Sequence, residues 1–402
     1  MVREMDFVDE CYADKDLSLL KKLTLVIPTY NRNYYLSRCL WYHAHFPFGQ
    51  IIVADSSPEE KKVVNRETVA KVREMFGSDI LYLEYEPETE KYGGDIYRKW
   101  GDAVMHVETE YSQICGDKEF ISPKSLVKCI AYLNDNHDYV AISGAFYQYT
   151  SSHDIHNRYF VQIAKTRTSE ELECGFERYM DSLFNVGIWD NTLQLSLSRT
   201  KEIKYIYNLL DEFDIKDIRY GELITALSGH LQGKFKYFDD DVYKVRDVLL
   251  HSLSRQKAVN SKSPESSTTR YPKLSEYAKD RENTQEFTDN FESCLFSILK
   301  DWTELNDEEI VSIIDTRLNY HHWEKYWGES KLKKPCLYAI YHKSRMLLPT
   351  NIQKVVNYFS KRILGINAFE VGVDIKNNSE LQLFERIILD MHHYSEHDLP
   401  IV

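Results

Sequence analysis

Segments alternating between strand-like and helix-like periodicity over residues 22–251 predict an α/β fold, a Rossmann-like and mostly parallel central sheet flanked by helices. Three observations carry this expectation. Short apolar, β-branched runs begin at Leu23, Gln50 and Ile80, and each of the first two is followed by a helix-period stretch. Consecutive strands joined by helices imply right-handed crossovers and hence parallel pairing. Finally, Asp117 and Glu119 stand one residue apart at the end of a further strand, and in open α/β sheets ligands bind at the carboxyl ends of the strands.

Each element follows from local chemistry. LTLVIPTY, residues 23 to 30, is a buried strand bounded by Pro28, and Asn31 is placed to cap the helix NYYLSRCLWYHAHF. A second strand, Gln50 to Ala54, closes on Asp55-Ser56-Ser57-Pro58; a helix from Pro58 to Phe76 and a strand from Ile80 to Tyr85 come next. The stretch Gly93 to Pro123 then runs from helix period into the strand that ends in Gly116-Asp117-Lys118-Glu119-Phe120. Further on, a helix is expected over Pro123 to Asn136 and a strand over Tyr139 to Tyr147. Residues 148–185 are polar and aromatic, and Leu193 to Ser198 alternates like a half-exposed strand. Helices Lys201 to Leu210 and Tyr220 to His230 precede a strand from Lys234 to Val245 that ends at Arg246. Residues 252–280 are rich in Ser, Lys and Pro and read as a lid or a linker. Helical segments at Glu282 to Lys300, Asp307 to Leu318 and Glu380 to His393 make residues 281–402 an α-helical C-terminal extension, and residues 1–21 an N-terminal one.

Composition removes several classes. A hydrophobic fraction of 43% and a charged fraction of 28% are those of a folded globular chain, and a net charge of -13 opposes general nucleic-acid binding. The seven cysteines are odd in number and never paired as CxxC, which fits a reducing cytoplasm better than a disulfide framework or a zinc site. The opening MVREMDFVDECYADKD has no apolar core of a secretory signal, and no apolar run approaches the roughly 18 to 20 residues that span a bilayer. No glycine precedes Gly49, so the glycine-rich loops that follow the first strand of dinucleotide and P-loop folds are missing.

What stands there instead is Ile27-Pro28-Thr29-Tyr30-Asn31-Arg32. With Asp55-Ser56-Ser57, the spacing Gly93, Arg98, Gly101 and the segment GDKEF, this chain resembles bacterial glycosyltransferases of the GT-A fold, family 2 type, over about residues 22 to 250. The resemblance implies a donor-nucleotide half at 22–119, an acceptor half at 120–251 and a nucleotide-sugar donor. Pro28, Thr29, Tyr30, Arg32, Asp55, Gly93, Arg98 and Asp117 would line the donor, with Asp55 recognising the base and the arginines near base or phosphate. Lys118 and Glu119 depart from the acids usual at those two places.

The chemistry makes these residue types intelligible. Sugar transfer from a nucleotide releases a diphosphate, whose charge a divalent metal stabilises as a Lewis acid; Mn²⁺ or Mg²⁺ takes carboxylate oxygens together with phosphates. Asp117 and Glu119 are the expected ligands, since along an extended segment they point to one side and Lys118 to the other. The resemblance also allows a histidine from the C-terminal side as third ligand, for which His251 is the candidate and His230 the second choice. Glu222, expected to open the helix GELITALSGH, is the candidate general base. Each assignment has a plainer alternative: a solvated turn capping the next helix for the two acids, a surface ion pair for each arginine, an ordinary helix acid for Glu222, and a structural role for each histidine.

The resulting expectation is a cytoplasmic, inverting, metal-assisted glycosyltransferase of cell-surface polysaccharide synthesis, acting on a glycan or lipid-linked glycan. The rival is a nucleotide- or glycan-binding protein that keeps the fold without catalysis. Lys325 to Arg362 is locally basic and partly amphipathic, and it offers either a peripheral contact with anionic lipid or a solvated face against the acidic domain.

Overall fold

The computed structural model describes residues 16–87, 96–150, 159–163, 169, 171–179, 194–247, 281–319, 370–373 and 381–382. Four parallel strands form its first half. Strand β1 (Leu23–Thr29) pairs with β2 (Gln50–Asp55) from Thr24↔Gln50 to Thr29↔Asp55, and β2 pairs in turn with β3 (Ile80–Glu84). On its other side β1 pairs with β4 (Tyr111–Ile114). The carboxyl ends of β1, β2 and β4 therefore open on one edge, which is where the Ile-Pro-Thr-Tyr, Asp-Ser-Ser and Gly-Asp-Lys-Glu segments begin.

Helices cover both faces, which is why every residue of β1 is buried and its sequence is mostly apolar on both sides, with Thr24 and Thr29 its only polar residues. The period of two still sorts its side chains. Leu23, Leu25 and Ile27 join a core with α1 (Asn33–Ala44), α2 (Glu59–Phe76) and α4 (Pro123–Asp135), whereas Val26 joins a second core with α3 (Ile96–Met105), α5 (Thr200–Glu212) and α6 (Ile218–Gln232). Helix α4 starts where its sequence says it should, with Ser122 accepting the Ser125 N–H at the cap and Pro123 in the first turn.

The second half is mixed. Strand β8 (Leu197–Arg199) runs antiparallel between β4 and β6 (Tyr139–Thr150), and β6 continues to β7 (Tyr159–Ile163). The long β9 (Lys234–Asp247) lies parallel to β6 and antiparallel to the short β5 (Glu119–Ile121). The α/β layout expected from the sequence, a sheet flanked by helices, is the one observed; its first half is parallel as expected, and antiparallel pairs enter in the second.

Three local expectations are corrected. Asn31 does not cap α1: it takes a left-handed φ of 54° in the preceding turn, and Arg32 occupies the cap position without a side-chain bond. Helix α6 begins at Ile218, and Asp217 caps it by accepting the Tyr220 N–H at 2.9 Å, so Glu222 lies in the second turn instead of opening the helix. The C-terminal part is not purely helical. Helices α7 (Arg281–Trp302) and α8 (Asp307–Asn319) fall as expected, but Glu370–Val373 forms β10, antiparallel to β7. Phe291, Leu295 and Ile298 of α7 share a core with α6, and Ile310 and Ile314 of α8 join it.

Gly221 shows how tightly α6 docks. A Cβ there would lie 2.2 Å from the Tyr97 ring, whose hydroxyl donates to the Ile218 carbonyl at 2.9 Å. Gly221→Ala is expected to destabilise the fold by about 1–3 kcal/mol through overpacking. A denaturation midpoint equal to that of the parent chain would refute this reading of the α3–α6 contact.

Candidate active site

The loops after β1 and β2 are tied to each other before any acid is considered. Ser56 N–H donates to the Thr29 carbonyl at 3.2 Å, and Asn31 N–H donates to Ser57 Oγ at 2.8 Å. Lys99, buried on α3, reaches the same junction: its Nζ donates to Ser56 Oγ at 2.7 Å and approaches the Thr29 carbonyl at 3.5 Å. Asp55 lies just beneath, fully enclosed, and accepts from Ser57 N at 2.8 Å and from Asn65 Nδ2 and the Tyr82 hydroxyl at 2.6 Å each. Its carboxylate thus binds β2, α2 and β3 together.

The acidic motif is a turn, not an extended segment. Glu119 N–H bonds back to the Gly116 carbonyl at 2.8 Å, which folds Asp117 and Lys118 into the bend. The alternation expected to place both carboxylates on one side is broken there, and the two acids have separate partners. Asp117, nearly buried, accepts from Thr29 Oγ1 at 3.0 Å and from Arg32 at 3.2 Å, one bond on each carboxylate oxygen. Glu119 opens β5, and the register pairs it with Arg246 on β9.

That register surrounds Glu119 with cations. Lys244 Nζ lies 3.2 Å from Oε2, while Arg246 Nε lies 2.9 Å from Oε1 and a terminal guanidinium nitrogen closes on the same oxygen. Burial alone would raise the Glu119 pKa, but the charges and hydrogen bonds of Lys244 and Arg246 outweigh it and hold the carboxyl well below its ordinary range. Lys118 is half-buried. Burial first, then the nearby charges of Arg246 and Arg32, push its ammonium down to about 8 against the opposing pull of Asp117 and Glu119.

Beneath the turn, α1 supplies a rigid bed. The thiols of Cys39 and Cys115 lie 3.4–4.0 Å from the carbonyls of Gly116 and Glu119. His43 accepts the Ile121 N–H on Nε2 at 3.3 Å and so carries its proton on Nδ1, which faces the Cys39 carbonyl at 2.8 Å. Burial lowers its pKa to about 4, so it stays neutral. Cys39, His43 and Cys115 are the one metal-like grouping among the described residues, yet both ring nitrogens are engaged and burial raises the Cys39 thiol. This is a packed support, not a metal centre.

The remaining candidates fall in different places. Pro28 is within β1 opposite Ala54, and Tyr30 is half-buried at the strand's exit. Arg98 is exposed and pairs with Asp211 at 3.7 Å and Asp214 at 3.4 Å, a surface cluster that shares no residue with the Asp117 group. Glu222 is half-buried, and its charge bears on Tyr97 of α3. Gly93, His251 and the basic stretch from Lys325 to Arg362 lie outside the described residues. His230 is buried on α6, its carbonyl accepting from Arg178. Sequence reasoning passed over Lys99 and Lys244; alternation along β9, with Tyr243 and Val245 in the core, was the signal that put Lys244 and Arg246 on the opposite face.

A divalent ion does not fit this donor set as it stands. All four oxygens of Asp117 and Glu119 already accept from Thr29, Arg32, Lys244 or Arg246, so an ion would have to share an oxygen with one of these donors or displace it; at Asp117 Oδ2 that donor is the neutral Thr29 hydroxyl, and at the other three oxygens it is a cation.

Glu119 therefore stabilises the fold through its ion pairs. Its folded pKa is depressed, so this contribution is full above its ordinary value of 4.5 and is lost as pH falls through the lower folded value. Glu119→Gln leaves Lys244 and Arg246 without their counter-charge and is expected to cost about 3–5 kcal/mol at neutral pH, a deficit that shrinks progressively below pH about 4. Equal unfolding free energies for the two chains at pH 7 would contradict it.

No protein-family model and no curated protein matches this chain. Among solved structures it is similar to S. aureus TarS 1-349 in complex with UDP-GlcNAc, at 15% identity over 85% of this chain and 88% of that one, with a TM-score of 0.45. The same protein in complex with UDP is similar at 15% identity, with a TM-score of 0.43 over the same shares of 85% and 88%. Mannosyltransferase PcManGT from Pyrobaculum calidifontis, in complex with GDP-Man and Mn²⁺, is similar at 13% identity over 76% of this chain and 82% of that one, with a TM-score of 0.34.

Proposed function

We propose that this protein is a glycosyltransferase that moves a sugar, with inversion, from a nucleotide-sugar donor to a hydroxyl of a glycan or lipid-linked glycan in bacterial cell-surface polysaccharide synthesis, such as lipopolysaccharide or capsule. The observation that carries the reading is convergence. Thr29, Arg32, Ser56 and Asp117 come from three motifs far apart in sequence, and Thr29–Asp117 at 3.0 Å, Arg32–Asp117 at 3.2 Å and Lys99–Ser56 at 2.7 Å draw them together at the carboxyl edge of the sheet. That edge is where an open α/β sheet binds its ligand.

In the reaction the bond from the anomeric carbon to the diphosphate oxygen breaks, with its electron pair leaving on that oxygen. The acceptor hydroxyl oxygen bonds to the same carbon from the opposite face and gives its proton to a base. Glu222 is the residue assigned that role; standing in the second turn of α6, it is removed from most of the helix-end field that would weaken it as a base. Arg32 suits a phosphate, being half exposed and anchored by Asp117. Mn²⁺ or Mg²⁺, the cofactor expected from the acidic motif, would meet Thr29 and Arg32 at Asp117, and Lys244 and Arg246 at Glu119.

Cys39, Cys115, Cys129, Cys174 and Cys294 are free thiols, which suits a cytoplasmic setting. No helix among the described residues is long and apolar enough to cross a membrane, so membrane contact, if the acceptor is lipid-linked, would be peripheral.

Incubating the full chain with a panel of sugar nucleotides tests the reading through release of nucleoside diphosphate. One donor is expected to turn over, and Asp117→Asn to lower its kcat by about 100-fold, the scale set by removing one preorganised electrostatic contact. A donor that binds without turnover would favour the non-catalytic binding protein, and no binding of any donor would end the proposal.

A further inference from the structure

The surroundings of Asp117 and Glu119 are more positive than a metal-binding acid pair requires. Four cations, Arg32, Lys118, Lys244 and Arg246, face these two carboxylates, so two positive charges remain over. Two of the four have donors to spare. Lys118, half-buried at the centre of the turn, has no hydrogen-bond or ion-pair partner among the described residues. Arg246 commits Nε and one terminal nitrogen to Glu119, and among the described residues its other terminal nitrogen has no hydrogen-bond partner. The Phe146 ring lies 4.7 Å from the Arg246 guanidinium and 5.0 Å from Lys244 Nζ, which fixes both heads on an aromatic floor.

We infer that Lys118 and Arg246 form the seat of the donor's diphosphate, so that fixed cations rather than a divalent metal meet the charge of the leaving group. Glu119 is then a positioning residue. It neutralises Lys244, which is too buried to reach a ligand, and holds Arg246 by two nitrogens with the third turned free. An arriving diphosphate would relieve the mutual repulsion of Lys118, Arg246 and Arg32 and supply oxygens to Lys118 and to the remaining terminal nitrogen of Arg246. When the anomeric bond breaks, the negative charge accumulating on the diphosphate oxygen falls among groups already in place, so no reorganisation is needed.

The inference rests on the glycosyltransferase reading, and calorimetric titration of the full chain separates the two. UDP, GDP and the other common nucleoside diphosphates are titrated in EDTA and again in Mn²⁺, beside the corresponding nucleosides. A nucleoside diphosphate is expected to bind in EDTA within about threefold of its affinity in Mn²⁺, and Lys118→Met to weaken it by about tenfold, the loss of one charge-assisted hydrogen bond. Lys118→Arg should restore most of the affinity, and nucleoside binding should not change. Lys118 is outside both cores, and an unchanged denaturation midpoint for each variant certifies the comparison. Binding that requires Mn²⁺, or that ignores Lys118→Met, overturns the cation seat and leaves the glycosyltransferase reading standing. If no nucleoside diphosphate binds the parent chain in either condition, both fall.

Discussion

The ion cluster of Glu119 with Lys244 and Arg246 is the interaction on which the rest of the candidate site depends. A buried carboxylate loses several kcal/mol of hydration and persists only where fixed counter-charges replace it. Two such charges reach Glu119 from alternate positions of one strand, which makes the β5–β9 register the condition for burying it at all. A one-residue slip of β9 would turn both cations into the core and bring Tyr243 and Val245 against the carboxylate. Register and electrostatics therefore enforce each other, and the turn that carries Asp117 inherits its position from both.

The core side of β9 strengthens the same constraint. Tyr243 donates to Gln113 of β4 and accepts the Leu197 N–H of β8, so the face opposite the cations is locked by a buried polar network that crosses three strands. With the Gly116–Glu119 turn packed on Cys39 and Cys115 and His43 holding Ile121, the motif has few ways to relax. Rigidity of this kind is what electrostatic preorganisation needs, since groups that must move to meet charge return part of the stabilisation they provide.

Much of the fold was legible because burial imposes periodicity. Mostly apolar runs at β1 and β2, the helix period of α2 and the Ser-Pro start of α4 are each dictated by local chemistry. The grouping of Thr29, Arg32 and Asp117 was legible because β1 and β4, far apart in sequence, are parallel neighbours whose ends the topology brings together. What escaped sequence reasoning was non-local. Extension through Asp117, Lys118 and Glu119 was the natural assumption for a strand end; the Glu119 N–H bond to the Gly116 carbonyl closes a turn there instead, and the pairing of Glu119 with Arg246, 127 residues away, holds its far side. Lys99 was hidden for a related reason: on α3 it is the neighbour of Arg98, and the packing of the helix sends Lys99 inward to Ser56 and leaves Arg98 at the surface.

The two departures from the acidic pattern of the resembled family make sense together. Lysine at 118 removes a negative charge from the turn and adds a positive one. Glutamate at 119 is longer by one methylene than the expected aspartate, which suits a carboxylate that must reach the cations of β9 instead of remaining at the bend. Either change alone would be costly: Lys118 beside an unneutralised Lys244 and Arg246 would concentrate repulsion, and Glu119 buried without them would be an uncompensated charge. Considered jointly, they replace negative charge at the turn with a cation and bury the remaining Glu119 charge against Lys244 and Arg246. Asp117 keeps the acid of the resembled pattern, and its hydrogen-bond partners differ from those of Glu119: it is held by Thr29 and Arg32 of the first-strand loop rather than by β9, while its charge still bears on Lys118.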